Sequence, residues 1–196
     1  MRFFKNDKSM LNNLKRQIMN QVILVNEKDE RVGVMDKLPA HEKGLLHRAF
    51  SIFVFNSKGQ ILLQQRMANK YHSGGLWTNT CCGHQVPGES LLESAKQRLM
   101  DEMGMICILN YLFSFQYKAN LDHQLIEHEI DHVFYTVSDQ LPLLNPEEAD
   151  DYRYESPEMI RLEMEQHPDR FTEWFKLCFE RVLNAVSKSD NSFPHK

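Results

Sequence analysis

Polar and hydrophobic residues alternate, or hydrophobic residues form short runs, through most of the first two thirds of the chain, and both patterns are typical of β-strands. The pattern predicts strands at 22–25, 31–36, 47–56, 60–66, around Cys82 and His84, and near 108–118 and 126–137. Turns at 26–29 and 57–59 join the first four strands into two hairpins. The segment around Pro39 and His41 is expected to be a polar loop, and 67–76 an irregular loop.

Three later segments have the spacing of helices. Ser90 and Glu93 stand at capping-box distance, apolar residues then recur at helical spacing, and Gly104 occupies the position of a C-cap glycine. A second helix is expected to begin at 156–157, where serine precedes proline. The apolar stripe along 171–186 predicts a final amphipathic helix.

This order of elements indicates a single α+β domain, in which mixed β-sheets are flanked by helices, with a β-hairpin at the N-terminal end and helices at the C-terminal end. A length of 196 residues fits one such domain. The domain is expected to span 21–186. Residues 1–20 are interpreted as a polar extension, and 187–196 as a polar, disordered tail.

Composition and charge limit the kinds of partner that the protein could bind and the cellular compartment in which it could work. A formal net charge of −4 gives no overall attraction for nucleic acid. Apolar runs such as 52–55 are four residues long, whereas a membrane span needs roughly 20. Residues 1–5 lack the apolar stretch of a signal peptide. The four cysteines form no Cys-x-x-Cys pair. We therefore expect a cytoplasmic protein with free thiols and neither a nucleic-acid nor a membrane partner.

Candidate reactive side chains occur in pairs on two predicted strands. Residues two apart share a face of a strand, so Cys82 and His84 point one way and Cys81 the other. Glu127 and Glu129 form a similar pair. Imidazole suits Zn²⁺ or Mn²⁺, and carboxylate suits Mg²⁺ or Mn²⁺. With two upstream histidines, the chain offers five candidate ligands for a divalent metal: His41, His47, His84, Glu127 and Glu129.

Each of these residues taken alone also has a purely structural interpretation. Glu127 and Glu129 would suit the solvent-exposed face of an antiparallel strand. An isolated histidine is commonly a surface or capping residue, and adjacent cysteines commonly behave as small buried hydrophobic residues. Only the combined pattern favours a metal site.

A longer motif runs from Gly83 to Gly104. It resembles the Nudix box, whose usual form is Gly-x5-Glu-x7-Arg-Glu-apolar-x-Glu-Glu-x-Gly. Both glycines, Glu89 and the acidic pair 101–102 fit, but the central Arg-Glu is replaced by Gln97-Arg98. One carboxylate is thereby lost, which weakens a hydrolytic metal cluster. The arginine could instead pair with a phosphate.

Surrounding strings make the resemblance more specific. They are Leu45–Ser51 (LLHRAFS), Leu62–Arg66 (LLQQR), Trp77–His84 (WTNTCCGH) and Glu127–Glu129 (EHE), in this order. Together they resemble the type I isopentenyl-diphosphate Δ-isomerases, a non-hydrolytic branch of the Nudix superfamily, over about residues 21–186. The resemblance implies a Nudix-like fold and a 1,3-allylic proton shift between isopentenyl and dimethylallyl diphosphate in isoprenoid biosynthesis.

The resemblance also implies a role for particular residues. One divalent metal, Mn²⁺, Mg²⁺ or Zn²⁺, would be bound by His41, His47, His84, Glu127 and Glu129. A Mg²⁺ would bridge the diphosphate to Glu102. The diphosphate would be bound by Lys37, Arg66, Lys70 and Arg98. Catalytic positions match Cys82 and Glu129 for proton transfer, Tyr117 beside the glutamate, and Trp174 against the carbocation. On sequence alone, Trp174 could equally be a core residue of the last helix.

Three competing interpretations remain at this stage. A Nudix hydrolase would release phosphate from a diphosphate substrate. A non-catalytic module would bind a diphosphate without turnover. A structural metal site would need no set of phosphate-binding cations. The expected partner is the small-molecule substrate, isopentenyl or dimethylallyl diphosphate, and the assembly is expected to be a monomer or a homodimer.

Overall fold

A computed structural model describes residues 18–189 of the chain. Nine strands lie in this range: β1 (Gln21–Val25), β2 (Arg31–Asp36), β3 (His47–Phe55), β4 (Ile61–Arg66), β5 (Trp77–Thr78), β6 (Cys81–His84), β7 (Asn110–Asn120), β8 (Ile126–Val137) and β9 (Ala149–Glu155). The helices are α1 (Lys37–Glu42), α2 (Leu91–Met103), α3 (Pro157–Gln166) and α4 (Glu173–Ser189), with 3₁₀ turns at Asp122–Gln124 and Pro168–Arg170. No helix of the described range has the length and hydropathy that crossing a membrane requires.

Strand β3 is the centre of a mixed sheet. It pairs antiparallel with β6 along one edge and parallel with β8 along the other, and its two ends contact β1 and β4. Strands β2, β5, β7 and β9 extend the sheet outward from these neighbours. Because β3 has neighbours on both sides and is covered on both faces, its second half, residues 52–55, is apolar throughout.

Alternate residues of β3 enter two hydrophobic clusters. Phe53 and Phe55 pack with the aromatic face of α4, whereas Phe50, Ile52 and Val54 pack under α2. The sheet is therefore sandwiched between α2 and α4, which confirms the α+β prediction with flanking and C-terminal helices.

The capping prediction for α2 is confirmed in detail. The Ser90 hydroxyl accepts from the Glu93 amide, and the Glu93 carboxylate accepts from the Ser90 amide. At the other end, Gly104 has φ +61°, and a side chain there would lie 2.8 Å from Leu143. Glycine is therefore required to end the helix at this point.

Several boundaries differ from the sequence prediction. The segment expected to be a polar loop around Pro39 and His41 is helix α1, and strand β9 lies in a stretch for which we predicted no element. The last helix begins at Glu173 and continues to Ser189, so residues 187–189 are helical. The rest of the predicted tail and residues 1–17 of the predicted extension lie outside the described residues.

Candidate active site

A cavity of about 650 Å³ opens beside β6, between the start of α2 and the loop 67–76. Most of the residues predicted from the sequence as functional line it: Lys37, Arg66, Lys70, Cys82, His84, Arg98, Glu102, Tyr117, Glu127, Glu129 and Trp174. The two remaining candidates, His41 and His47, are fully buried beneath its floor.

The floor of the cavity contains a group of potential metal ligands. One ligand atom from each of His41, His47, His84 and Glu129 lies within 4.8 Å of the others. Sheet register produces this arrangement, because His47 of β3 stands opposite Glu129 of β8 and His84 of β6 stands opposite Ala49. His41 is contributed by α1, the helix that the sequence did not reveal.

Backbone hydrogen bonds orient two of the imidazoles. Nδ1 of His41 donates to the carbonyl of Lys37, and Nδ1 of His47 donates to the carbonyl of Leu45, both at 2.7 Å. A carbonyl only accepts, so in each neutral ring the lone pair is on Nε2. Nε2 of His41 is buried without a hydrogen-bond partner in the described chain. Such a nitrogen, fixed by a bond at the opposite side of the ring, is suited to metal binding.

Glu129 is the common partner of the other two imidazoles. Its Oε1 lies 3.2 Å from Nε2 of His47 and 3.0 Å from Nε2 of His84. Burial opposes ionisation of Glu129, but its contacts with the His47 and His84 imidazoles outweigh burial and hold its pKa well below the usual range. Burial also lowers the pKa of His41 and of His84, which favours neutral imidazole, the form that binds a metal.

Glu127 is held differently from its neighbour. The Tyr117 hydroxyl lies 2.6 Å from Oε2 of Glu129 and 3.0 Å from Oε2 of Glu127, so it bridges the two carboxylates. Burial, followed by the charge of Glu129, raises the pKa of Glu127 well above its usual range. Ligand atoms of Glu127, His41 and His72 form a second group within 4.8 Å. The predicted ligands therefore form two overlapping groups that share His41.

The two adjacent cysteines face opposite sides of β6, as predicted. Cys81 is fully buried with Ala95 and Leu99 under α2, whereas Cys82 lines the cavity. Burial raises the pKa of Cys82 to about 12. Cys82 therefore presents a thiol rather than a thiolate to the cavity at neutral pH.

Trp174 of α4 forms part of the cavity wall. The residue is buried, and its indole nitrogen donates to Oδ1 of Asn79 at 3.2 Å. The Arg66 guanidinium lies 5.2 Å from the centre of the Trp174 ring. The ring is thus fixed in place with its π-face next to the cavity and within reach of a cation.

Four cationic side chains contribute to the lining of the cavity. Lys37, Arg66, Lys70 and Arg98 all line it. Burial, together with the charges of Arg98 and Lys70, lowers the pKa of Lys37 to about 8. A group of four cations along one cavity is suited to a polyanion such as a diphosphate.

Two carboxylates share the Arg98 guanidinium. Nη2 of Arg98 lies 2.5 Å from Glu102 and 2.6 Å from Glu148, and Lys70 also forms an ion pair with Glu148. Glu102 is buried and accepts a further hydrogen bond from Gln64 at 3.0 Å. Arg98, the residue that departs from the usual Nudix box, is therefore held between two acids at the cavity wall.

Gly83, the first glycine of the box, has a packing role beside this cluster. A side chain there would lie 3.0 Å from Phe50 and 3.3 Å from Arg98. Because glycine has no side chain, Arg98 has room to extend along the cavity wall.

Two residues of the site were not predicted from the sequence. His72 comes from an irregular loop, and Glu148 from the short segment before β9. Neither stands at a spacing that periodicity or a motif could have detected.

The fold and this motif define a class of protein. The NUDIX domain family matches residues 45–175. Among solved structures, the chain resembles DR0079 from Deinococcus radiodurans, with a TM-score of 0.68 and 21% identity over 82% of this chain and 98% of that one. It also resembles the MutT protein from Methanosarcina mazei Go1, with a TM-score of 0.58 and 22% identity over 69% of this chain and 91% of that one. At these identities the structures support the fold alone.

Curated relatives are more specific. An isopentenyl-diphosphate Delta-isomerase from Pectobacterium atrosepticum is 49% identical over 84% of this chain and 92% of its own length. Isopentenyl-diphosphate Delta-isomerase 2 from Aromatoleum aromaticum is 46% identical over 86% of this chain and 89% of its own length. The chain therefore belongs to the isopentenyl-diphosphate Delta-isomerase family within the NUDIX superfamily.

Proposed function

We propose that the protein interconverts isopentenyl diphosphate and dimethylallyl diphosphate, a step of isoprenoid biosynthesis. The observation that carries the proposal is the set of side chains that line one cavity: four cations, the Cys82 thiol and the Glu129 carboxylate. The close relatives named isopentenyl-diphosphate Delta-isomerase support the same conclusion.

The cationic residues provide substrate binding in this proposal. Lys37, Arg66, Lys70 and Arg98 would hold the diphosphate by charge-assisted hydrogen bonds. The hydrocarbon chain would then extend inward, toward Cys82, Glu129 and Trp174. Binding the diphosphate would place the double bond between the proton-transfer groups. The entropy of orienting the substrate is then lost on binding and not in the chemical step.

Proton transfer requires one group that gives a proton and one that takes a proton. The Cys82 thiol and the Glu129 carboxylate have complementary protonation states, and we assign them to opposite sides of the substrate. Tyr117, which bridges Glu127 and Glu129, would orient the carboxylate and could carry a proton between the two acids. In the direction that begins with these protonation states Cys82 would give its proton first, and the reverse direction would begin with Cys82 deprotonated and Glu129 protonated.

Protonation of an unactivated alkene produces a tertiary carbocation, and the cavity has features that would protect it. The indole of Trp174 presents an electron-rich face, and a desolvated cation–π contact contributes about 2 kcal/mol. The bound substrate would have to exclude water from the cavity, since water would otherwise trap the cation as an alcohol.

The donor atoms of the cavity floor fit a divalent metal. The buried, unpartnered Nε2 of His41 and the two imidazoles directed at Glu129 form a set that Zn²⁺, Mn²⁺ or Mg²⁺ could complete, and we assign this site to His41, His47, His84, Glu129 and Glu127. When bound, the metal would keep Glu129 ionised and fixed in orientation. We also assign a Mg²⁺ that accompanies the diphosphate to Glu102, a buried carboxylate in the cavity wall.

An isotope experiment tests the function directly. Purified protein is incubated with isopentenyl diphosphate and Mg²⁺ in D₂O, and deuterium uptake and phosphate release are followed together. We expect deuterium in dimethylallyl diphosphate and no phosphate release. Phosphate release without deuterium would instead indicate a Nudix hydrolase, and tight binding with neither signal in metal-loaded protein would indicate a non-catalytic diphosphate-binding module.

The same proposal includes the setting in which the protein works. We expect a cytoplasmic enzyme whose partner is the small diphosphate substrate, acting as a monomer or a homodimer. Light scattering of the purified protein measures the assembly state, and a larger oligomer would contradict this expectation.

A further inference from the structure

Glu148 connects two of the four cations that line the cavity. Its carboxylate forms an ion pair with Lys70 and accepts from both terminal nitrogens of Arg98, at 3.2 and 2.6 Å. Lys70 and Arg98 line the cavity, whereas Glu148 is not one of its lining residues. Its position suits a residue that holds the cations without contacting the ligand.

Backbone hydrogen bonds near Glu148 also connect the parts of the chain that carry Arg98 and Lys70. The Asn145 amide donates to the Glu102 carbonyl at 2.9 Å, at the end of α2. The Met67 amide donates to the Glu148 carbonyl at 3.1 Å, at the start of the loop that contains Lys70. The segment 145–149 therefore ties the helix that carries Arg98 to the loop that carries Lys70.

The charges explain why such a residue is useful. Burial, and after it the charges of Arg98 and Lys70, lower the pKa of Lys37, while the charge of Glu148 opposes the shift, so this carboxylate offsets part of the repulsion among the cations. Lysine and arginine are also long side chains that lose rotamer freedom when they are held in one geometry. A fixed carboxylate between two of them reduces the repulsion and selects one conformation before the ligand arrives.

We propose that Glu148 is a positioning residue of the anion site, which holds Lys70 and Arg98 in the geometry that recognises a diphosphate group. The proposal deepens the proposed function, on which it rests for the identity of the ligand. It assigns to Glu148 no contact with the substrate and no part in proton transfer.

Inorganic pyrophosphate is the probe that isolates this role. Its affinity is measured by titration calorimetry, with Mg²⁺ present, for the wild type and for Glu148→Gln. Because the substitution removes a partly buried charge-assisted contact to two ligand-binding cations, we expect affinity to fall about tenfold. The matched control is Glu147→Gln, the same change at the neighbouring exposed residue, which forms no ion pair with the described residues; its affinity should equal that of the wild type.

Steady-state kinetics separate positioning from a general structural defect. In Glu148→Gln the KM for isopentenyl diphosphate should rise about tenfold, while kcat changes by less than about twofold, since the reacting groups are untouched. Glu148→Asp retains the charge on a shorter side chain, so its KM should lie between that of the wild type and that of Glu148→Gln. If Glu148→Gln does not fold, pyrophosphate affinity in Glu148→Asp decides, and an affinity equal to that of the wild type would overturn the proposal.

Unchanged affinity in Glu148→Gln would show that the two cations need no positioning. Tighter binding would show that Glu148 competes with the ligand for the cations. Either result overturns the proposal, as would a wild type that does not bind pyrophosphate. If the wild type and variant bind as expected but no isomerisation occurs, the proposed function fails and the role of Glu148 stands.

Discussion

At the scale of single residues, the adjacent cysteines show how strand register separates structure from chemistry. Cys81 contributes to the packing beneath α2, and Cys82 contributes a thiol to the cavity. We therefore expect replacement of Cys81 to affect stability and replacement of Cys82 to affect activity.

Replacing Cys82 by serine should lower kcat by a factor of about 10² to 10⁴, because a serine hydroxyl is a much weaker acid for general acid–base catalysis. Metal content and thermal unfolding should be unchanged. Cys81→Ser should instead retain its activity per folded molecule but lose about 1–3 kcal/mol of unfolding free energy, because a hydroxyl is buried in an apolar cluster. Near-normal turnover in Cys82→Ser would remove this thiol from the mechanism.

Lys37 should make substrate binding dependent on pH. Its pKa is lowered from 10.5 to about 8, so the side chain is charged below about pH 8 and neutral above. The value of kcat/KM should therefore fall as pH rises through about 8, because one of the diphosphate-binding cations is lost. In Lys37→Arg the guanidinium stays charged and this fall should disappear. An identical alkaline limb in both proteins would assign it to another group.

At the scale of elements, α2 carries both Arg98 and Glu102, so the stability of this helix supports the anion site. Ser90→Ala removes one half of the capping box and should lower the free energy of unfolding by about 1 kcal/mol. Urea unfolding measures the change. Lys96→Ala, on the exposed face of the same helix, should change it by no more than a few tenths of a kcal/mol. If both variants lowered the free energy of unfolding equally, the Ser90 cap would have no specific role in stabilising the helix.

Elements with a local signal were predicted from the sequence, and those without one were not. Both ends of α2 are determined by their own capping residues, so its limits were confirmed. Pro39 suggested a loop, yet it lies in the first turn of α1, where a missing amide proton costs no hydrogen bond. Strand β9 is rich in acidic residues, and its pairing with β4 supplies the signal that its own sequence lacks.

The residues of the candidate site also fall into those that the sequence could predict and those that it could not. Alternation alone places Cys82 with His84 on one face of β6, and Glu127 with Glu129 on one face of β8. The pairing of both strands with β3, which the sequence does not specify, brings the two pairs together. His72 and Glu148 lie in irregular segments, and only the tertiary structure brings them to the cavity. For these two residues no local rule connects sequence position with direction.

At the scale of the whole molecule, a metal bound in the cavity floor would join α1, β3, β6 and β8. Removal of the metal by a chelator should therefore lower Tm, and restoring an ion at about one hundred times its Kd should recover about 2.7 kcal/mol of stability. Comparing recovery with Zn²⁺, Mn²⁺ and Mg²⁺ ranks the ions. Glu129→Gln is the control and should show little dependence on added metal. A Tm that does not respond in the wild type would count against the site.

The parallel pairing of β3 with β8 also governs when the site can exist during synthesis on the ribosome. Ser51 of β3 bonds to Asp131 of β8, 80 positions later, and Glu129 is on the same strand. A nascent chain that has already presented His41, His47 and His84 still lacks the carboxylate that unites them, and connections over such distances form slowly. Assembly of the proposed metal site would therefore have to wait until β8 has left the exit tunnel and docked against β3.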